Sequence, residues 1–281
     1  MTSKVQRKTG EEKEYEPKIG LALGSGGARG MAHIGVLKIL EEHRLPVHYM
    51  AGSSIGALIG SLYAAGHSGI QLEKLVTHFP QKYWLDYTFP KLGFLEGAKI
   101  KEVIRLLTKN KRIEELSIPL AIVATNLNRG TRKIFTTGPV AEAVRASISI
   151  PGIFVPEKMN GEYYVDGGVM DRIPVSVVKE MGADFIIAVD VSQQAALYPT
   201  TTIFDVIFQA IDIMGREMLK QQVVHADVLL KPPVGQFSTT MFNQAEEIIR
   251  VGEEYTRSKI GLIMEGIQKW KGKKENELDP T

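Results

Sequence analysis

Apolar positions along this chain fall into two alternating rhythms. Short unbroken runs read as buried strands: Ile19 to Leu23, Val47 to Ala51, Leu120 to Ala124, Phe185 to Val191 and Val228 to Leu230. Between them, apolar residues recur at helical spacing. Met31 to Glu42 carries Ile34, Leu37 and Leu40, and Ile55 to Ala65 is a helix of small residues able to lie close on a sheet. Lys99 to Thr108, Val140 to Ser147, Pro174 to Met181 (with proline at its start), Ile203 to Val224 and Asn243 to about Trp270 continue the helical series. Arg132 to Thr136 reads as a more polar strand, and Tyr163 to Val165 as a short apolar strand leading into Asp166-Gly167-Gly168. Strands alternating with helices predict an α/β fold with a mainly parallel central sheet and helices on both faces.

No internal repeat or linker divides the chain. Residues 1–17 are polar and mixed in charge and read as a disordered tail. A single domain is expected over 18–268, followed by a polar, Lys-rich tail over 269–281. From Phe79 to Phe94 the pattern changes: Phe79, Tyr83, Trp84, Tyr87, Phe89 and Phe94 are broken by Pro80 and Pro90. Such a stretch fits a lid or membrane-facing cap, because Trp and Tyr have one apolar and one polar end. It fits equally an aromatic filling beneath a long connection.

Composition narrows the chemistry. A formal charge of +2 is too small to imply nucleic acid as a partner. The absence of cysteine excludes disulfides, thiolate metal sites and Cys nucleophiles, and is compatible with a reducing cytoplasm. No apolar run approaches the ~20 residues that span a bilayer, and the charged N-terminus lacks the apolar region of a secretory signal. Any membrane contact is therefore expected to be peripheral. The cluster Trp270, Lys269, Lys271, Lys273 and Lys274 could add weak attraction to anionic lipid, but Glu275, Glu277 and Asp279 dilute it, and a solvated end is the favoured reading.

Two glycine-rich turns carry the candidate chemistry. Ser54 stands at the centre of Gly52-Ser53-Ser54-Ile55-Gly56, between a strand and a helix, which is the layout of a nucleophile elbow. One strand earlier lies Gly24-Ser25-Gly26-Gly27-Ala28-Arg29-Gly30. A dinucleotide-binding turn is one reading, but Arg29 occupies the third position of G-x-G-x-x-G and no acid ends the next strand to hold a ribose. The loop also lacks the Gly-Lys-Ser/Thr of a P-loop. The favoured reading is an oxyanion hole, where one N–H donor is worth about 3 kcal/mol of transition-state stabilisation. Arg29 either meets a phosphate headgroup or braces the loop.

A serine nucleophile needs a base. Among six histidines (His33, His43, His48, His67, His78 and His225) only His225 follows Ser54 and Asp166 in the order Ser…Asp…His, and it precedes a strand. It reads as a surface or helix-end residue, and His33 as a packing or capping residue. Asp166 is the stronger candidate, since Val165-Asp166-Gly167-Gly168 puts a carboxylate after a short strand, at a sharp turn.

Taken in order, G-x-G-G-x-R-G, G-x-S-x-G, A-S-x-S-x-P-G-x-F-x-P (from Ala146 to Pro156) and D-G-G resemble a bacterial patatin-like phospholipase. The resemblance runs from about Ile19 to Pro174. It implies a three-layer α/β/α lipid acyl hydrolase with a Ser–Asp dyad and no histidine, metal or cofactor. Ser54 is then the nucleophile and Asp166 the base. Backbone N–H groups around Gly26, Gly27 and Ala28 form the oxyanion hole, with Gly24, Arg29, Gly30, Gly52, Gly56, Gly167 and Gly168 supporting the motifs. One departure is Ser25, where many members have glycine. The implied partner is a lipid or lysolipid ester, presented at a membrane or micelle surface. An unperturbed Asp is a weak base, with a pKa of ~3.9, so burial near Ser54 has to raise it. A different class, a regulator keeping the fold without catalysis, would retain its cellular effect after Ser54→Ala.

Overall fold

The run Ile19–Leu23 (β1) is wholly buried at the middle of an eight-stranded sheet. A computed structural model describes residues 16–78, 86–88, 91–192, 202–221, 225–240 and 242–278. After β1 come α1 (Ala32–Glu42), β2 (Tyr49–Ser53), α2 (Ile55–Ala64) and α3 (Gly69–His78). The middle of the chain forms β3 (Gly93–Leu95), α4 (Ala98–Leu107), β4 (Leu120–Asn126), β5 (Thr131–Phe135) and α5 (Val140–Ser147). Then follow β6 (Gly152–Phe154), β7 (Glu157–Met159), β8 (Glu162–Asp166), α6 (Val175–Glu180) and β9 (Phe185–Val189). The last elements are α7 (Ile203–Gln221), β10 (Val228–Leu230) and α8 (Ala245–Leu278).

The strand order is β10-β9-β1-β2-β4-β8-β7, with β5 also on β4. Five strands, β10, β9, β1, β2 and β4, are mutually parallel, and β5, β8 and β7 join antiparallel at one end. Side chains alternate across this sheet, and the two faces differ in size. Leu21, Leu23, Ile122, Ile187 and Val189 enter a large core with residues of α1, α2, α5 and α8. Ala22, Ala51, Ala121 and Ala188 enter a second core beneath Val175, Val177 and Val178 of α6. Small residues on that face let α6 come close: a Cβ on Gly20 would lie 2.1 Å from Val178 Cγ1. The three layers expected from the alternation are present.

Several boundaries differ from the sequence reading. The strand expected over Val47 to Ala51 begins at Tyr49 and runs to Ser53, because Leu45 and Val47 pack against the core from a connection. α8 continues to Leu278, so the expected tail over 269–281 begins as helix. The sequence reading does not include α3, whose apolar Leu72, Leu75 and Val76 stand in a largely polar stretch, nor the three-residue strands of the β3–β6 pair and β7. In the aromatic stretch, Phe79, Tyr83, Trp84 and Phe89 lie outside the described residues; Tyr87 is exposed and bridges to Leu95.

Candidate active site

The register of the sheet brings Ser54 and Asp166 together. β5 occupies one edge of β4 from Ile122 to Asn126, so β2 and β8 share the other edge. Running parallel to β4, β2 ends with Ser53 opposite Val123; running antiparallel, β8 ends with Asp166 opposite Ala124. The two C-terminal ends therefore meet head to head. The crowding explains the D-G-G glycines: a Cβ on Gly167 would lie 2.2 Å from Val123 O, and one on Gly168 2.5 Å from Ser25 Oγ.

Ser54 holds φ 55° and ψ −124°, a conformation that β-carbon sterics disfavour and that persists only when the surroundings enforce it. They do. Its N–H donates to Ser147 Oγ at 2.9 Å, and Ser147 Oγ donates in turn to Val123 O at 2.6 Å. The elbow can close only over glycines, since a Cβ on Gly52 would lie 2.5 Å from Ala57 N and one on Gly56 2.2 Å from Leu23 O. Ser54 thus caps α2, where unpaired N–H groups and the helix dipole favour negative charge.

Ser54 Oγ donates a hydrogen bond to Asp166 Oδ2, and Gly168 N–H donates to Asp166 Oδ1 at 2.7 Å. Backbone bonds lock the aspartate in place, through Asp166 N–H to Ser149 O at 2.9 Å and Thr125 Oγ1 to Asp166 O at 2.9 Å. Ser54 is 5% exposed and Asp166 4%. Burial pushes the Asp166 carboxyl up to about 6, against the opposing pull of the Ser54 and Gly168 donors and the nearby Arg172. A carboxylate tuned this far is a far better proton acceptor near neutral pH than a solvated one.

The glycine loop sits beside the Ser54–Asp166 pair. Ser25 keeps φ out of the left-handed region, so a serine is tolerated there, and its hydroxyl donates to Ser53 Oγ at 3.1 Å. The left-handed position in the loop falls on Gly27, at φ +57°. Gly27 and Ala28 open a 3₁₀ turn, and among the described residues neither Gly26 nor Gly27 N–H has a protein acceptor. Ala28 differs from the expectation: its N–H donates to Thr239 O at 2.9 Å, because the turn aims it at the loop before α8. Arg29 is 2% exposed and braces that same loop, its Nε donating to Phe237 O at 2.8 Å. At the other end of the turn, the buried His33 ring meets Gly24 O at 2.8 Å. Burial lowers the His33 pKa to about 4, so the ring is neutral. Gly30 is required by contact, since a Cβ there would lie 2.1 Å from Ile55 Cγ2, and one on Gly24 2.9 Å from Val189 O.

His225 lies far from this arrangement. It precedes β10, at the N-terminal end of a parallel strand, whereas Ser54 follows the C-terminal end of β2. It is exposed on the opposite end of the sheet.

A family model described as patatin-like phospholipase matches residues 21–179, more than half of the chain. The chain belongs to that family. An uncharacterised NTE family protein of Mycobacterium tuberculosis is 39% identical over 182 residues, covering 64% of this chain and 51% of the relative. A lysophospholipase, NTE1, of Meyerozyma guilliermondii is 30% identical over 269 residues, covering 84% of this chain and 19% of that protein. The chain thus spans about half, or less, of the length of these curated relatives. The fold is also that of the solved VipD from Legionella pneumophila, at a TM-score of 0.62 and 14% identity over 90% of this chain and 67% of that one.

Among the described residues of this patatin-like domain, two cavities reach Ser54. The larger, of about 510 Å³, is apolar; it runs between α2, α3 and α4 and is walled by Leu58, Leu62, Leu75, Ile100, Ile104 and Phe154 among others. The smaller, of about 30 Å³, is walled by Gly26, Gly27, Asp166, Arg172 and Asp212 as well as Ser54. Ser147, Arg172 and Asp212 were not singled out from the sequence. Ser147 belongs to the A-S-x-S-x-P-G motif, whose pattern alone assigns it no role. Arg172 and Asp212 gave no signal, because their proximity arises from the packing of α7 over the site. No described helix is long and apolar enough to cross a membrane.

Proposed function

We propose that this protein is a lipid acyl hydrolase that cleaves the carboxylic ester of a phospholipid or lysophospholipid through Ser54 and Asp166. The observation carrying this reading is the buried Ser54–Asp166 hydrogen bond at the mouth of a large apolar cavity. The family and the lysophospholipase relative support the same class.

In the proposed reaction, Ser54 Oγ attacks the ester carbonyl as its proton passes to Asp166 Oδ2. The tetrahedral oxyanion accepts hydrogen bonds from Gly26 and Gly27 N–H, donors already fixed in position before reaction. Collapse expels the alcohol, which takes the proton back from Asp166 and leaves an acyl-serine. Water then gives its proton to Asp166 and attacks the acyl group. Release of the fatty acid returns the proton to Ser54. An ester oxygen leaves more readily than an amide nitrogen, which suits a base of pKa about 6 to esterase rather than protease chemistry. The acyl chain occupies the apolar cavity, whose volume lies within the ~300–1,000 Å³ range of ligand pockets.

The test is hydrolysis of p-nitrophenyl esters and of micellar lysophospholipid by wild type, Ser54→Ala, Asp166→Asn and His225→Ala. The first two variants should be inactive while His225→Ala retains wild-type turnover. A folded but inactive His225→Ala, or a wild type inactive on both substrates, would sink the reading.

A further inference from the structure

Arg172 follows the D-G-G turn and is 3% exposed. Its carbonyl accepts Ser25 N–H at 2.9 Å, tying it to the glycine loop, and its side chain lines the small cavity shared by Ser54 and Asp166. One arm of its guanidinium, Nη2, donates to Asp212 on α7, while the adjacent buried Nε has no hydrogen-bond partner among the described residues. Arg29 Nη1 at 3.7 Å and Arg216 Nη1 at 3.6 Å also bear on the Asp212 carboxylate. Gly215 makes room for the pairing, since a Cβ there would lie 2.5 Å from Arg172 Nη1.

An arginine fork suits an anion with two or more oxygens, taken by parallel N–H bonds. Here the fork is half used. Leaving a buried donor without an acceptor is unfavourable, and a buried guanidinium beside a hydrolytic centre is of use to a substrate that carries charge there. A phospholipid ester does: its phosphodiester lies a few bonds from the scissile carbonyl. The apolar cavity and the one beside Arg172 share Ser54, so a tail filling the first leaves the second for the head. The ~30 Å³ beside Arg172 holds little beyond a water, whose share of liquid is ≈ 30 Å³, so a phosphate enters only as Asp212 withdraws.

We infer that Arg172 is the anchor for the phosphodiester of the lipid substrate, and that Asp212 of α7 holds this anion subsite until substrate displaces it. This rests on the ester hydrolase reading above. It assigns headgroup preference to Arg172, and it makes the Asp212 carboxylate an internal competitor whose removal favours charged substrates.

The deciding quantity is the ratio of kcat/KM for lysophosphatidylcholine to that for a monoacylglycerol of the same acyl chain, both in the same detergent micelles. Arg172→Gln should lower this ratio at least about tenfold, the worth of a lost hydrogen bond to a charged group. Asp212→Asn should raise it several-fold. If both variants slow the two esters equally, so that the ratio stays within twofold of wild type, Arg172 is a structural brace and the proposal falls. Should Arg172→Gln not fold, Arg172→Lys keeps the charge without the fork and must still lower the ratio, while Asp212→Asn tests the competitor independently.

A second arm needs no hydrolysis. In Ser54→Ala/Asp212→Asn protein, glycerol 3-phosphate should raise the melting temperature, and further replacement of Arg172 by Lys should abolish the effect. Stabilisation by inorganic phosphate alone, with the substrate ratio unmoved, would mark a free-phosphate site and overturn the lipid assignment. If wild type hydrolyses neither ester, the hydrolase reading fails, whereas the anion subsite still stands or falls on this thermal shift.

Discussion

The two cavities that meet at Ser54 are built on opposite principles. One is roomy and apolar, formed by side chains of α2, α3 and α4 that any extended hydrocarbon can lie against. The other is tight and ionic, with Arg172 and Asp212 closing on Asp166 and the glycine loop. Burial of apolar surface is non-directional and tolerates substrates of several lengths. Charge-assisted hydrogen bonds are directional and accept few. On the proposed reading this difference places the reacting bond: a carbonyl reaches Ser54 when its tail lies in the first cavity and its head in the second.

The largest expected effect breaks the junction itself. Ser54→Ala removes the proposed nucleophile and Asp166→Asn the proposed proton acceptor. Because the two act as one unit, either should reduce kcat by roughly 10⁴-fold or more, and the double variant should be little worse than either single one. A double variant that multiplies the two losses would show that Ser54 and Asp166 work independently. The next effect sharpens the apolar side. Leu58 lines the large cavity one helical turn beyond Ser54, whose carbonyl accepts its N–H at 3.1 Å. Leu58→Phe should lower the ratio of kcat/KM for long-chain over short-chain p-nitrophenyl esters about tenfold, in line with the ~1–3 kcal/mol that a hydrophobic pocket discriminates per methylene. An unchanged chain-length profile would remove the acyl chain from this cavity.

How much of this was legible in the sequence follows from the range of the interactions. The strand at Ile19–Leu23 and the helices α1 and α2 are set by local apolar rhythm, and Ser54 and Asp166 by turns whose glycines are adjacent in sequence. Ser147, by contrast, supports the elbow from 93 residues away and reads in sequence as one more polar residue near a helix end. Arg172 and Asp212 are 40 residues apart, on a loop and on the inner face of an amphipathic helix. Charges at such spacing look like an ordinary solvated surface until a sheet and a helix bury them together. Ala28 shows the same limit: the motif places its N–H in the right loop, but the direction depends on Thr239, more than 200 residues later.

A smaller effect concerns pH. The proposed base acts as the carboxylate, and Asp166 is held at about 6 by burial. Below that value kcat/KM should rise close to tenfold per pH unit, and above it the profile should flatten. Arg172 opposes the burial, so Arg172→Gln should move the inflection upward. An inflection near 4 would mean that solvent reaches the carboxylate in the working enzyme.

The smallest effect is a near-cancellation in stability. Asp166 carries a folded-state pKa raised from 3.8 to about 6, so the folded chain binds more protons than the unfolded chain between those values. Its contribution to stability therefore falls as pH rises from 4 to 6. His33 runs the other way: its folded-state pKa is lowered from 6.5 to about 4, and the stability of the neutral buried ring is lost as pH falls through that interval. The two windows overlap, and the shifts are similar in size and opposite in sign. Wild type should consequently change melting temperature little between pH 6.5 and 4.5 on account of these groups. His33→Gln, whose amide can still donate to Gly24 O, should gain a few degrees relative to wild type at pH 4.5 compared with pH 6.5. Asp166→Asn should lose a similar amount over the same range, since the compensating carboxyl is gone. Should both variants track wild type in parallel, neither group is as buried in solution as its packing beside Gly24 and Gly168 requires, and the ionic side of the site is open to water.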